Sequence, residues 1–258
     1  MKKILFFPLY AGELGWEIMV WQSLLRHAKE AMPYDEVHGV CDPKFKVLYE
    51  DFADSLTLEK PTERLLEPHH EFPESAAYKV GGLEKAGAEV VIASTEPTVA
   101  LWNYEMTPHV HKFISYKKDV DKEYDAVLHL RNMSHRPEDN DSDEFNYEVA
   151  NKLIDAGKKI AFIGTSDGSA RLDVEADYFY DEPLDIIIDV INKSKIVLGQ
   201  SSGPMHLAAL CEAEVGVWTT TQGEGLKERY QTQWNPFANK VNYLMEPAPN
   251  DVVDLVNG

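Results

Sequence analysis

The chain has 258 residues, 44% of them apolar and 27% charged, an ordinary globular composition that excludes disorder, collagen and coiled coil. Lys and Arg total 25 against 44 Asp plus Glu, a formal charge of -19, which argues against a DNA duplex or an anionic membrane as partner. No apolar run reaches the ~20 residues of a membrane span, and the opening MKKILFFPLYAGELGWE is too briefly apolar and too acidic for a signal peptide.

Lys3 to Leu9 predicts a strand running into a turn at Gly12 and Gly15. A helix is expected from about Trp16 to Ala31, with Ile18, Trp21, Leu24, Leu25 and Ala28 at helical spacing, closed by Pro33. Glu36 to Cys41 is a second strand, followed by a helix carrying Phe45, Leu48, Tyr49 and Phe52. Residues 55 to 85 predict loops around a short helix, Ala88 to Ala93 a buried strand, and Thr107 to Glu123 the crossover between halves.

The second half restarts the pattern. Ala126 to Leu130 predicts a strand, Arg131 to Glu144 a polar loop, and Phe145 to Ala156 a helix stopped by Gly157. Strands follow at Lys159 to Ile163, Ile196 to Leu198 and Val215 to Thr219, with a helix at Asp185 to Lys193. Alternating strands and helices are the signature of parallel sheets, whose ligands sit at the strand C-termini. The expected fold is α/β: two Rossmann-like domains with parallel sheets, residues 1–118 and 119–258, and a cleft between them. Cys41 and Cys211, the two cysteines, give neither a disulfide framework nor a metal cage, which suits a reducing cytoplasm.

The segment with most chemistry is Gly199-Gln200-Ser201-Ser202-Gly203-Pro204-Met205-His206. A buried strand ends, small residues turn, and Pro204 opens a helix. Such a helix N-terminus offers amides and a dipole to an anion. Ser201 and Ser202 add hydroxyls, Gly203 permits close approach, and His206 falls on the first turn. The same spacing also describes a plain strand-to-helix joint with a capping serine and a core histidine. Both readings stand at this level.

The stretch SSGPMHLAALCEAEVGVW, Ser201 to Trp218, resembles the nucleotide-sugar-binding segment of GT-B glycosyltransferases. It is most similar to the heptosyltransferase-like group (ADP-heptose:LPS transferases), whose element reads (D/S)-(T/S)-G-P-M-H-L-A-A, and the chain would be a short version. The resemblance implies that Ser201, Ser202, Gly203, Pro204, Met205 and His206 bind the donor diphosphate. It places a cleft-facing glycine turn with a catalytic acid at Tyr10 to Glu17, where Glu13 and Glu17 are the carboxylates. Either can serve as general base, and an acid at a helix start is also simply favourable with the dipole. His129-Leu130-Arg131 resembles the H-x-R that directs a basic residue at donor phosphates, so Arg131 would neutralise the leaving group; a surface arginine paired with nearby acids is the alternative. Gly164 and Thr165, in GTSDG, stand where such folds hold the nucleoside, with a simple Ser/Asp/Gly turn as the equally weighted alternative, and Gln222, with Glu224, where they touch the sugar or ribose.

Other patterns fail. Asp139, Asp141 and Asp143 alternate like a calcium loop, but Glu144 and Ala150 stand where Gly and Glu belong. His69-His70 and His109-Val110-His111 lack metal spacing. No P-loop, intact G-x-G-x-x-G or G-x-S-x-G is present. The expectation is an inverting glycosyltransferase that uses neither metal nor cofactor, with a nucleotide-diphosphate sugar as donor. Its acceptor hydroxyl would belong to a glycan, a small molecule or a phage-type modified nucleobase. A nucleotide-sugar epimerase and a non-catalytic nucleotide-sugar-binding protein are the alternatives.

Overall fold

The computed structural model describes residues 1–95, 110–219 and 224–257. The chain divides into unit 1, Met1–Phe113 with Pro183–Asp185, and unit 2, Ile114–Glu182 with Ile186–Gly258. The crossover divides with them. Lys112 N–H bonds Ser23 O in unit 1 (3.1 Å), while Tyr116 N–H bonds Leu210 O in unit 2 (2.8 Å).

Unit 1 contains β1 (Lys3–Phe7), β2 (Leu9–Tyr10), β3 (Glu36–Cys41), β4 (Ser55–Leu58), β5 (His70–Glu71) and β6 (Glu89–Ile92). Its main sheet is four-stranded and parallel, in the order β4-β3-β1-β6. Pro8, which has no N–H for a ladder, separates β1 from β2 where one strand was expected. β6 was expected to be buried, but it is a sheet edge, and its Ile92 is exposed. The helix after the first turn begins at Leu14, earlier than the apolar spacing implies. It runs through α1 (Leu14–Trp16), a π-helical turn (Glu17–Trp21) and α2 (Gln22–Ala31). A π turn leaves carbonyls under-bonded, and side chains repair it. Gln22 Nε2 donates to Ile18 O (2.7 Å), and Ser23 Oγ donates to Val20 O (2.8 Å).

The helix expected after β3 is instead a 3₁₀ turn, Pro43–Leu48. Asp42 caps it by accepting from Lys44 N–H (2.9 Å), and Pro43 opens it. Residues 55–85 hold more structure than expected, namely β4, β5 and the 12-residue α3 (Glu74–Lys85).

Unit 2 contains β7 (Tyr124–His129), α4 (Asp143–Asp155), β8 (Ile160–Gly164), β9 (Asp177–Tyr180), α5 (Leu184–Asn192), β10 (Ser194–Gln200), α6 (Gly203–Leu210), β11 (Val215–Thr219), α7 (Glu224–Gln231), β12 (Val241–Met245) and α8 (Pro249–Asn257). α5 begins in the short Pro183–Asp185 stretch that groups with unit 1. The six strands pair in parallel, in the order β12-β11-β10-β7-β8-β9. Renumbered within the unit, this is 3-2-1-4-5-6, the dinucleotide-fold order, whose ligand crevice opens where the order reverses, between β7 and β10. Strands β9 and β12 and helix α8 went unpredicted, being short and mostly half-exposed. The core beneath the crevice is built from Leu128, Leu130, Phe162, Leu198 and Trp218 with Val149 and Leu153 of α4. No described helix is long and apolar enough to cross a membrane.

Candidate functional site

The C-terminal ends of β7, β8 and β10 meet at His129, the last residue of β7. Its ring is buried, with Nδ1 2.9 Å from Ser202 Oγ and Nε2 3.4 Å from Ser169 Oγ. Burial, with the neighbouring Arg131 charge second, lowers its pKa to about 4, so the ring is neutral near pH 7. Gly164 makes the close approach possible. Its φ is +147°, and a Cβ there would lie 2.0 Å from Ser169 Oγ. The exposed Thr165 turns its N–H inward to Ser169 Oγ (3.1 Å).

The Ser201–His206 segment divides in two. Ser201, Ser202, Gly203 and Pro204 are half-buried, while Met205 and His206 are buried. Met205 therefore packs in the core. The His206 ring stacks on Tyr230 (5.4 Å between centroids) and meets Trp234 edge-on (4.8 Å). Its Nδ1 has no hydrogen-bond partner among the described residues, and burial lowers its pKa to about 3. The core-histidine alternative thus describes the geometry of the His206 side chain. Tyr230 OH, from the last turn of α7, donates to Ser201 Oγ (3.1 Å) and so holds this turn from inside.

At the mouth of α6 the amides are partly spent. Met205 N–H and His206 N–H both return to Ser202 O (3.1 and 3.3 Å), and Pro204 has none. Ser202 stands at the N-cap without making a capping bond; its hydroxyl goes to His129 and to Gln200 O instead.

Arg131 is only 4% exposed. Its guanidinium donates to His135 O and Arg136 O (3.1 Å each) and lies 3.5 Å from Asp139. It organises the 131–142 loop, and its charge, paired with Asp139, lies beside this strand end. The same loop is tied down by Asp141, which accepts from Trp218 Nε1 (2.7 Å) and Gln200 Nε2 (2.5 Å). Gln200 Oε1 in turn accepts from Arg131 N–H (2.9 Å). Asp139 pairs with Arg131 and Arg136, Asp141 binds Trp218, and Asp143 opens α4, so the alternating acids do not converge. Among the described residues no group of three or more His, Cys, Asp or Glu could hold a metal ion. Gln222 lies outside the described residues, as does the side chain of Glu224.

In unit 1 the two carboxylates differ. Glu17 is 1% exposed; it accepts from Tyr49 OH (2.7 Å) and from Arg64 (3.0 Å). Burial raises its pKa, opposed by the Arg64 charge and the Tyr49 bond. Glu13 is half-buried at the N-cap of α1, with no capping bond from its side chain, and its carbonyl accepts from Trp16 and Glu17 amides (3.2 and 3.3 Å). The turn is packed from above. Arg64 also donates to Gly12 O (2.9 Å), and a Cβ on Gly12 would meet Tyr10 OH at 2.5 Å. No sequence signal links Arg64 to Glu17, 47 positions away in a stretch without periodicity, and Tyr49 stands there only as one of an apolar helical set.

No protein-family model and no curated protein matches the sequence. Solved structures do match. The class they define is the GT-B-type glycosyltransferase fold, of parallel-sheet α/β units like those described above. E. coli ADP-heptose LPS heptosyltransferase II aligns with TM-score 0.60 and 15% identity over 100% of this chain and 98% of its own. A glycosyl transferase family 9 protein from Veillonella parvula aligns at 0.58 and 13% over 95% and 86% of the two chains. E. coli heptosyltransferase WaaC with ADP aligns at 0.56 and 13% over 99% of each. At such identities the likeness is one of fold. It agrees with the expected α/β class and with the resemblance read from Ser201 to Trp218.

Proposed function

We propose that the protein is a nucleotide-sugar glycosyltransferase, inverting and metal-independent, with the donor held by unit 2 and the acceptor by unit 1. The observation that carries this reading is the Ser201–Pro204 turn, half-buried at the end of β10 beside the β7/β10 reversal of strand order. The donor diphosphate would lie against Ser201, Ser202 and Gly203, in the positive field of Arg131 and the α6 N-terminus. Gly164 and Thr165 would border the nucleoside, and Gln222 the sugar. Pro204 sets the helix start, while Met205 and His206 support the turn from below.

In the reaction the Glu13 carboxylate takes the proton of the acceptor hydroxyl. The acceptor oxygen attacks the anomeric carbon, the bond from that carbon to the diphosphate oxygen breaks, and the nucleoside diphosphate leaves from the opposite face. Glu13 is favoured over Glu17 because Glu17 is already engaged with Arg64 and Tyr49 inside unit 1. The presence of ADP in the WaaC structure puts ADP first among the nucleotides to try.

A thermal-shift panel of ADP, UDP, GDP and CDP tests donor binding, because a ligand of the native state raises its melting temperature. Incubation with the matching nucleotide sugars follows. Release of nucleoside diphosphate that depends on added acceptor supports transfer. Sugar isomerisation without release, or no nucleotide binding at all, defeats the reading.

A further inference from the structure

His129 carries an orientation as well as a position. Ser202 Oγ has one proton and donates it to Gln200 O (3.0 Å), a carbonyl that can only accept. With that proton given to Gln200 O, the 2.9 Å contact between Ser202 Oγ and His129 Nδ1 is satisfied when it runs from Nδ1–H to the serine oxygen. A neutral imidazole has one N–H, so Nε2 is the acceptor and Ser169 Oγ–H donates to it (3.4 Å). Ser169 Oγ accepts in turn from Thr165 N–H (3.1 Å). The result is one directed chain, from the Thr165 amide through Ser169, His129 and Ser202 to the Gln200 carbonyl. It joins the end of β7 to the loops after β8 and β10.

We propose that His129 and Ser169 are positioning residues for the donor site, holding the imidazole as its Nδ1–H tautomer so that the Ser202 hydroxyl is a hydrogen-bond donor available to the donor diphosphate. This rests on the donor-site reading given above. With Nδ1–H supplying the inward bond, the Ser202 proton is free to turn from the neutral Gln200 carbonyl to a charged phosphate oxygen, a stronger acceptor. A donated bond at the oxygen also polarises its O–H. In the opposite tautomer Ser202 would give its proton to Nδ1 and present only lone pairs to an anion. Ser169 sets the choice while lying on the far side of the ring from Ser202.

Two measurements test it. In wild-type protein with ¹⁵N-labelled histidine, NMR should show Nδ1 protonated and Nε2 unprotonated for His129 near neutral pH; the reverse tautomer overturns the inference whether or not nucleotides bind. Calorimetry with ADP, UDP, GDP and CDP then compares His129→Asn, which keeps an amide donor near the Nδ1 position, with His129→Gln, which places its amide near Nε2. His129→Asn should bind within about 3-fold of wild type and His129→Gln at least ~10-fold more weakly, a loss typical of one bond to a charged group. Equal losses in both variants would refute the tautomer role while leaving the donor site standing. Absence of binding by wild type overturns the donor-site reading and this role with it.

Discussion

Arg64 Nη1 lies 3.0 Å from the Glu17 carboxylate and 2.9 Å from the Gly12 carbonyl, so one guanidinium ties the buried acid to the glycine turn. Its plane also covers the Phe45 ring at 4.2 Å, and Asp42 stands at 3.4 Å from its second nitrogen. Glu17 is thus the internal counter-charge of a clamp. Arg64 is half-buried and keeps Asp42 as a second counter-charge, so loss of the bond to Glu17 costs about 1.5 kcal/mol, as for one hydrogen bond to a charged group. Glu17→Gln should lower the urea midpoint by that equivalent, and by more than Glu13→Gln, whose carboxylate is half-buried and outside the Arg64–Glu17 pair. An undisturbed urea midpoint in Glu17→Gln would remove the clamp.

Glu13→Gln separates chemistry from binding. A general base contributes ~10²–10⁴-fold, so turnover should fall at least ~100-fold while nucleotide affinity stays within a few-fold. Steady-state rates with calorimetry on the same preparation decide it. Near wild-type turnover would exclude Glu13 as the base.

These carboxylates also show what the sequence makes legible. The turn after β1 is marked by its glycines, and Glu13 and Glu17 follow from it. That one is half-exposed and the other sealed depends on Arg64, which arrives from a stretch without a periodic pattern, and on Tyr49, whose spacing with Phe45, Leu48 and Phe52 marks an apolar face and not a bond to Glu17. The π turn is similarly hidden, since its repair by Gln22 and Ser23 looks in sequence like ordinary helix polarity. In unit 2 the Ser-Gly-Pro turn was readable because strand, small residues and proline are local signals. The spacing of His206 puts it on the first turn and is compatible with a ligand or with the core; what encloses its ring, Tyr230 and Trp234, lies further along the chain. Buried strands of the central sheet, such as β11, announce themselves as apolar runs; the half-exposed edges β9 and β12 do not.

Gly203→Val tests the diphosphate position directly. A branched side chain on the half-buried turn obstructs approach to the backbone, so nucleotide binding should disappear while the melting temperature of the free protein changes little. Undiminished affinity measured by calorimetry would move the donor elsewhere.

Metal independence follows if Arg131 and the α6 dipole supply the positive field. Transfer should persist in EDTA at close to its original rate. Complete loss in chelator, restored by magnesium, manganese or iron, would contradict it.

The buried histidines give stability a pH dependence of known sign. His206, with its pKa lowered from 6.5 to about 3 by burial, stays neutral in the folded chain where the unfolded chain takes up a proton. The unfolded state binds more protons between those values, so the stability contribution is full above about pH 6.5 and is lost as the pH falls toward 3. His129 acts in the same sense from 6.5 down to about 4. Glu17 acts in the opposite sense, because its raised pKa gives the folded state the extra proton above 4.5. A single pH profile therefore mixes signs, and the informative quantity is the difference between wild type and His206→Phe. Phenylalanine keeps a ring between Tyr230 and Trp234 and removes the titrating nitrogens. Relative to the variant, wild type should lose about 2 kcal/mol between pH 7 and pH 5, at ~1.4 kcal/mol per pH unit below 6.5. That window lies well above the folded-state value, so the size of the difference does not depend on where below 5 the folded histidine titrates. Parallel stability curves across this range, from urea unfolding at each pH, would mean that His206 is protonated in the folded protein and that its aromatic enclosure is open to water.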